Sequence, residues 1–340
     1  MSTTEKYPEE RVLPPSAPHC ENGAPVELIF ARDVPLGEGE QAMTVHRTLP
    51  QRQRSLVGAW CFTDHYGPDS VFITGGMDVA PHPHMGLQTV SWLFEGEIMH
   101  NDSAGYHAVV KPGEVNLMTA GNGICHSETS TQGLKSLHGV QLWVALPDSA
   151  RTMDRQFENY APQPVRFDGG EAVVFIGSLL GSDSPVETFT PLLGSEIRLE
   201  PGAHLELAVN PQFEHGLLLD SGSVHLEGVS VQRTELAYTG IGSDVLHIEN
   251  STEQPARMVL LGGEPFTEQI VMWWNLVART HEEIAQARAQ WQDRSDRFGV
   301  VEGYIGHYPS GPAWIPAPDL PQGRIRPRVN PAPMAQPHRA

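Results

Sequence analysis

The chain has 340 residues and carries 41 acidic against 22 basic side chains, a formal net charge of -19, so its surface repels phosphate backbones and a general nucleic-acid-binding role is excluded. Its three cysteines, Cys20, Cys61 and Cys125, are odd in number and widely spaced, which rules out a disulfide framework or a thiolate zinc site. No apolar stretch approaches the ~18 residues a bilayer span requires, and the start "MSTTEKYPEERVLPPSAP" lacks the basic-then-apolar pattern of a signal peptide; the expectation is a soluble, reducing, cytoplasmic protein without nucleic-acid or membrane partners.

Residues 1–25 are polar and Pro-containing and read as a flexible N-terminal arm. Across 26–150, short apolar runs such as "VELIF", "SVFITGG", "QTVSWLFEG", "HAVVKPGEVNLMTAG" and "GVQLWVALP" alternate with Gly, Pro, Asp and Asn. Runs of four to eight β-branched and aromatic residues between turn signals predict an all-β domain. Residues 151–170, "RTMDRQFENYAPQPVRFDGG", read as a linker. The strand rhythm resumes over 171–272, in "EAVVFIGSLLG", "SEIRLEPGAHLELAV" and "FEHGLLLDSGSVHLEG", as in a duplicated β-domain. Residues 273–340 hold one helix and a Pro-rich tail. In "RTHEEIAQARAQWQDR", Thr280 and Glu283 form a capping box, and Ile284, Ala287 and Trp291 make one apolar stripe for packing.

Sixteen histidines are present, and pairing sorts them. Side chains at i and i+2 of a strand share a face. His82 and His84 in "PHPH" therefore point one way, and the prolines favour an extended backbone. His126 and Glu128 in "CHSE" follow the same rule. Three other pairs, His204/Glu206, His225/Glu227 and His247/Glu249, enclose a Leu or Ile and read as half-exposed strands with the aliphatic inward. In "HPH" and "HSE" the middle residues are Pro and Ser, so the inward face is the histidine face. Three imidazoles and a carboxylate suit Fe(II), Mn, Ni, Co, Cu or Zn, and leave coordination positions open on an ion that takes six ligands. Cys125 then faces the other way as a small buried apolar residue. His65, His100, His107 and His138 stay unassigned. The chain has no Rossmann, P-loop, nucleophile-elbow or HExxH pattern.

These segments resemble the two motifs of the cupins. Gly76, His82-Pro83-His84 and Gly96 follow the first motif, with Gln88 in the glutamate slot. Gly113, Thr119, Gly121 and His126 follow the second in altered form. "PHPHMGLQTVSWLFEGEIMHNDSAG", "PGEVNLMTAGNGICHSE" and "GGEPFTEQIVMWWNLVARTHEEI" are similar to the pirin family of bicupins, from about Phe30 to Phe298. The resemblance implies two stacked cupin β-barrels, with one divalent metal in the first, Fe(II) being the first expectation. By motif match the ligands are His82, His84, His126 and Glu128, with Glu128 also the catalytic base; the second barrel lacks metal. Arg is frequent in the family where this chain has Met85 and Asn122. The implied activity is that of a quercetin 2,3-dioxygenase, with dioxygen and a flavonol-type or related enol as small-molecule substrates. The alternative is a metal- or redox-dependent regulator docking on a protein partner without turnover. A zinc-dependent sugar isomerase on the same scaffold would take up no oxygen.

Overall fold

The computed structural model describes residues 26–36, 43–306, 313–327 and 330; the expected arm over 1–25 and the end of the tail lie outside the described residues. Strand takes up 51% and helix 5% of the described residues, an all-β architecture. It is built as two cupin units, each a seven-stranded sheet facing a four-stranded one.

In the first unit the four-stranded sheet runs Asp78–His84, Ile124–Ser130, Ile98–Asp102, His107–Val110. In the second it runs His204–Ala208, Val245–Glu249, Val224–Leu226, Val229–Val231, the same order of strands. The centres of the seven-stranded sheets match as well, with Leu87–Glu95 in the place of Glu214–Ser221 and Ser136–Ala145 in that of Ala256–Gly263. The duplication read from strand rhythm is therefore a duplication of topology.

The units exchange edge strands. Gln156–Tyr160 pairs with Val115–Thr119 and completes the first seven-stranded sheet. Val26–Ile29 pairs with Leu236–Thr239 and fills the equivalent edge of the second. Sequence places Val26–Ile29 with the first barrel and a linker over 151–170. In the structure that linker holds a strand of each sheet, since Val165–Phe167 pairs with Gly170–Ile176. Which edge a short strand joins depends on where unpaired backbone groups wait, and that is not a local property.

Alternation along the strands divides side chains between a seam and two interiors. Trp60, Val90, Trp92, Val140 and Leu142 of the first unit pack at the seam on Phe175, Leu218, Tyr238, Val259 and Leu261 of the second. Trp92 stacks on Phe175 at 4.7 Å between ring centroids, and its indole N–H donates to Glu196 Oε2 at 2.7 Å. Each large side chain buried here contributes about 1.5–3 kcal/mol, so the seam is core and not a docking contact.

The helix forms as expected over His281–Gln292, with Thr280 Oγ1 accepting from Glu283 N at 3.2 Å and Ile284, Ala287 and Trp291 buried. It packs with Cys125, Trp274 and Phe298 on the outer face of the first four-stranded sheet. The tail straps the same side: Ile315 N donates to Pro81 O at 2.8 Å, and Trp291 Nε1 to Ile315 O at 2.9 Å. Cys125 is buried as expected, and burial pushes its thiol up to about 11. No described helix is long and apolar enough to cross a membrane.

Candidate metal centre

Pro81 and Pro83 cannot donate backbone hydrogen bonds, which suits Asp78–His84 to the sheet edge it occupies. Its inner neighbour, Ile124–Ser130, runs antiparallel with His126 directly opposite His82. A β-bulge between His126 and Glu128 shifts the register, so Glu128 lies opposite Val79. Bulges re-aim side chains in this way beside functional sites.

The three imidazoles converge. Ring centroids lie 4.3 Å apart for His82 and His126, 4.9 Å for His84 and His126, and 5.1 Å for His82 and His84. Their ligand atoms all fall within 4.8 Å of one another, and each ring is buried. Glu128, also buried, stands beside this tight group and close enough to raise the pKa of His82.

The protonation states favour metal binding. Burial drives the pKa of His82 down to about 4, against the pull of Glu128. Burial and the neighbouring imidazoles push His84 and His126 well below the ordinary value. All three rings are thus neutral at pH 7. His82 Nδ1 donates to Ala80 O at 2.8 Å, which turns its Nε2 lone pair inward. The Nε2 atoms of His82, His84 and His126 have no hydrogen-bond partner among the described residues. Unpartnered, buried, neutral and mutually close nitrogens fit a divalent cation of the first transition row, or zinc.

His100, unassigned from sequence, supports the group. Asp102 Oδ2 takes the Nε2–H of His100 at 3.1 Å. His100 Nδ1 is then the acceptor for His126 Nδ1–H at 3.3 Å, which leaves His126 Nε2 its lone pair. Asp102 is itself held by Ala104 N and Tyr106 N on its other oxygen. No spacing in the sequence links residue 100 to 126, because the link is cross-strand. His100→Phe keeps the stack on Phe157 and is expected to weaken metal affinity about 10- to 100-fold, as loss of such supporting partners does; competition against a chelator measures it.

The facing wall of the barrel is polar. Trp143 lies 5.2 Å from His84 and stacks on Phe62 at 3.9 Å. Gln141, two residues before it on the same face, accepts from Ser91 Oγ at 2.8 Å. Tyr66 senses Glu128: burial first, then the charges of Glu128 and Asp64, hold its phenol pKa well above the usual value. Tyr66 OH, Gln141 Nε2 and Trp143 Nε1 are buried without a hydrogen-bond partner among the described residues.

Gln88, which fills the glutamate slot of the first motif and is not among the expected ligands, donates its amide to Thr119 Oγ1 at 2.9 Å and to Glu187 O at 3.1 Å, toward the second unit. Alternation turns its neighbour Thr89 inward instead. The positions of Met85 and Asn122 do not lack a cation. Arg297 reaches both, with Nη2 2.7 Å from Met85 Sδ and Nε donating to Asn122 O at 2.7 Å. A residue 175 positions away in sequence supplies the guanidinium, which no local pattern could reveal.

His65 and His138 belong to a second buried group, with Asp220. Asp220 Oδ1 accepts from Nε2 of both histidines, at 2.7 Å for His65, and Oδ2 accepts from Arg257 Nε at 2.6 Å. Arg257 Nη2 also faces His138 Nδ1 at 3.3 Å. That nitrogen must accept, so the proton sits on Nε2 and cannot yield to a metal. The group is a polar clasp between the units. His107 bonds Asn101 near the surface. Of the other His-x-Glu pairs, His204 and Glu206 are exposed, His247 and Glu249 are half-buried, and the Leu or Ile between each pair is buried. Glu227 departs from the pattern: it is buried and accepts from His247 N at 2.9 Å.

Comparison with known proteins agrees with this architecture. The Pirin family profile matches residues 42–144, and that of the pirin C-terminal cupin domain residues 194–299. A Pseudomonas aeruginosa protein named "Putative quercetin 2,3-dioxygenase" is 40% identical over 84% of this chain and 90% of its own length. A Caulobacter vibrioides pirin-like protein is 38% identical over 78% and 93%. The crystal structure of a quercetin 2,3-dioxygenase from Acinetobacter baumannii superposes with a TM-score of 0.83 at 38% identity, covering 89% of this chain and 98% of that one. Two matched cupin halves and relatives aligned along nearly their whole length make this chain a member of the pirin family.

Proposed function

We propose that this pirin is a metal-dependent dioxygenase acting on flavonol-type or related enol substrates. The observation that carries the reading is the convergence of three buried, neutral imidazoles beside Glu128, opposite a wall of unpartnered polar groups. The quercetin dioxygenase names of close relatives support the substrate class. His82, His84, His126 and Glu128 would hold one divalent metal, Fe(II) first, with Ni, Mn, Co, Cu or Zn as alternatives. Such an ion, when bound, acidifies a substrate hydroxyl and prepares the enolate for reaction with dioxygen.

The chain's own groups do the rest. Glu128 accepts the hydroxyl proton. Trp143 Nε1 and Gln141 Nε2 donate to substrate oxygens, and Tyr66, kept protonated, adds a third hydrogen bond. Leaving these atoms unpaired costs about 1–3 kcal/mol each, a cost that an oxygen-rich substrate removes. Their burial keeps bulk water from them. The deprotonated substrate is then oxidised by dioxygen, and its ring opens with loss of carbon monoxide.

The test is dioxygen uptake with a flavonol, on protein loaded with each metal in turn. At least one metal form is expected to consume oxygen and release carbon monoxide; if none does, the reading fails. Glu128→Gln is expected to retain metal by elemental analysis yet turn over about 100-fold more slowly or worse, the range for a lost general base. Wild-type speed in that variant would remove Glu128 from the role.

A further inference from the structure

In the first unit the candidate ligands come as two i, i+2 pairs on neighbouring strands, His82/His84 on Asp78–His84 and His126/Glu128 on Ile124–Ser130. The strands in the same places of the second four-stranded sheet are His204–Ala208 and Val245–Glu249. These also carry one such pair each, His204/Glu206 and His247/Glu249. Here the pairs lie on the outer face, because Leu205, Leu207, Leu246 and Ile248 alternate with them and fill the barrel core. Two imidazoles and two carboxylates thus stand outside a barrel whose interior is apolar at these strands.

Register sets the four in a square, His204 opposite Glu249 and Glu206 opposite His247. Cross-strand attraction between His and Glu accounts for that alternation, but it does not account for Glu227. This residue, on the other side of Val245–Glu249, has only 1% of its side chain exposed and a left-handed backbone, φ 50°. Its Oε1 accepts from His247 N at 2.9 Å and lies 3.1 Å from His247 Nδ1. An ionised carboxylate only accepts, so the ring proton sits on Nδ1 and Nε2 keeps its lone pair. The His247 side chain is 38% exposed. A buried carboxylate behind a histidine that faces outward is the arrangement that orients metal-bound histidines and raises their basicity.

We infer that the outer face of the second four-stranded sheet binds a zinc-like divalent cation through His204, His247 and Glu249, with Glu206 as fourth donor and Glu227 fixing His247. His204 Nε2 is 4.0 Å from Glu249 Oε1, and two donors on one tetrahedral zinc lie about 3.4 Å apart. His204 and Glu206 are exposed and Glu249 is half-buried, so rotamer changes alone close the set around an ion. The imidazoles select a transition-row cation or zinc over magnesium and calcium, and the two carboxylates offset its charge. The net charge of -19 also draws cations to the surface.

The test is a Zn²⁺ titration of the full-length protein, read by NMR of the histidine ring signals. The His204 and His247 signals are expected to move together and to saturate at one equivalent beyond that taken by the inner imidazoles. Glu227→Gln is expected to weaken this outer event about 10- to 100-fold, the range for a lost supporting partner. His204→Ala, at an exposed position that does not bear on folding, is expected to weaken it more than about tenfold, read on His247. In His126→Ala, which disables the inner centre, the outer signals are still expected to saturate, so the outer result is readable whether or not the inner centre binds. His204 and His247 signals that do not saturate, or a His247 titration unchanged by His204→Ala, overturn the inference. No readout depends on oxygenase turnover.

Discussion

Replacing His126 with alanine is expected to lower divalent-metal affinity by more than about 100-fold and to abolish dioxygen uptake. The ring is central to its group, 4.3 Å from His82 and 4.9 Å from His84 between centroids. Removing a partner outside the coordination sphere already costs up to about 100-fold, and loss of a nitrogen that would touch the ion exceeds that. The variant also strands the His100 acceptor that the Nδ1–H of residue 126 satisfies. Thermal melts separate this from misfolding. Metal that binds only the folded chain raises the melting temperature with concentration. Wild type is expected to show that rise and His126→Ala to lose it, while both metal-free forms melt cooperatively. An undiminished rise in the variant would remove His126 from the site.

The clasp between the units gives the largest expected stability effect. Asp220→Asn is expected to destabilise the protein by about 3 kcal/mol at pH 7, because removing one member of a buried ion pair strands the other. The carboxylate has no exposed side-chain surface, and Arg257 is 22% exposed. Burial alone would raise the Asp220 pKa, but hydrogen bonds from His138 and His65 and the Arg257 charge outweigh it and hold the carboxyl well below the usual range. A depressed carboxyl contributes its stability above the unfolded-state pKa of about 4 and loses it as the pH falls toward the folded-state value. The gap between wild type and Asp220→Asn in urea unfolding should therefore be widest near neutrality and narrow steadily below about pH 4. A constant gap would assign the effect to packing.

Much of this was legible in the residues. The capping box and stripe of the helix, the buried Cys125 and the inward face of His82-Pro83-His84 follow from spacing alone, because helix and strand periods are local. The His126 pairing was readable only as a second i, i+2 motif; its position opposite His82 needed the fold. What escaped lies between distant strands: the support of His100, the Asp220 clasp, the Arg297 guanidinium at Met85 and Asn122, and the turn of Gln88 toward the second unit. Gln88 shows the limit most clearly. Motif spacing put it in the glutamate slot of the first motif, but one residue of offset sends a strand side chain to the opposite face.

The trade of Val26–Ile29 for Gln156–Tyr160 ties the halves together more firmly than the apolar seam alone. A scissor placed anywhere between them leaves one fragment with a raw β-edge and the other with an orphan ribbon. Neither half is then a transplantable module, the half that carries the candidate metal centre included.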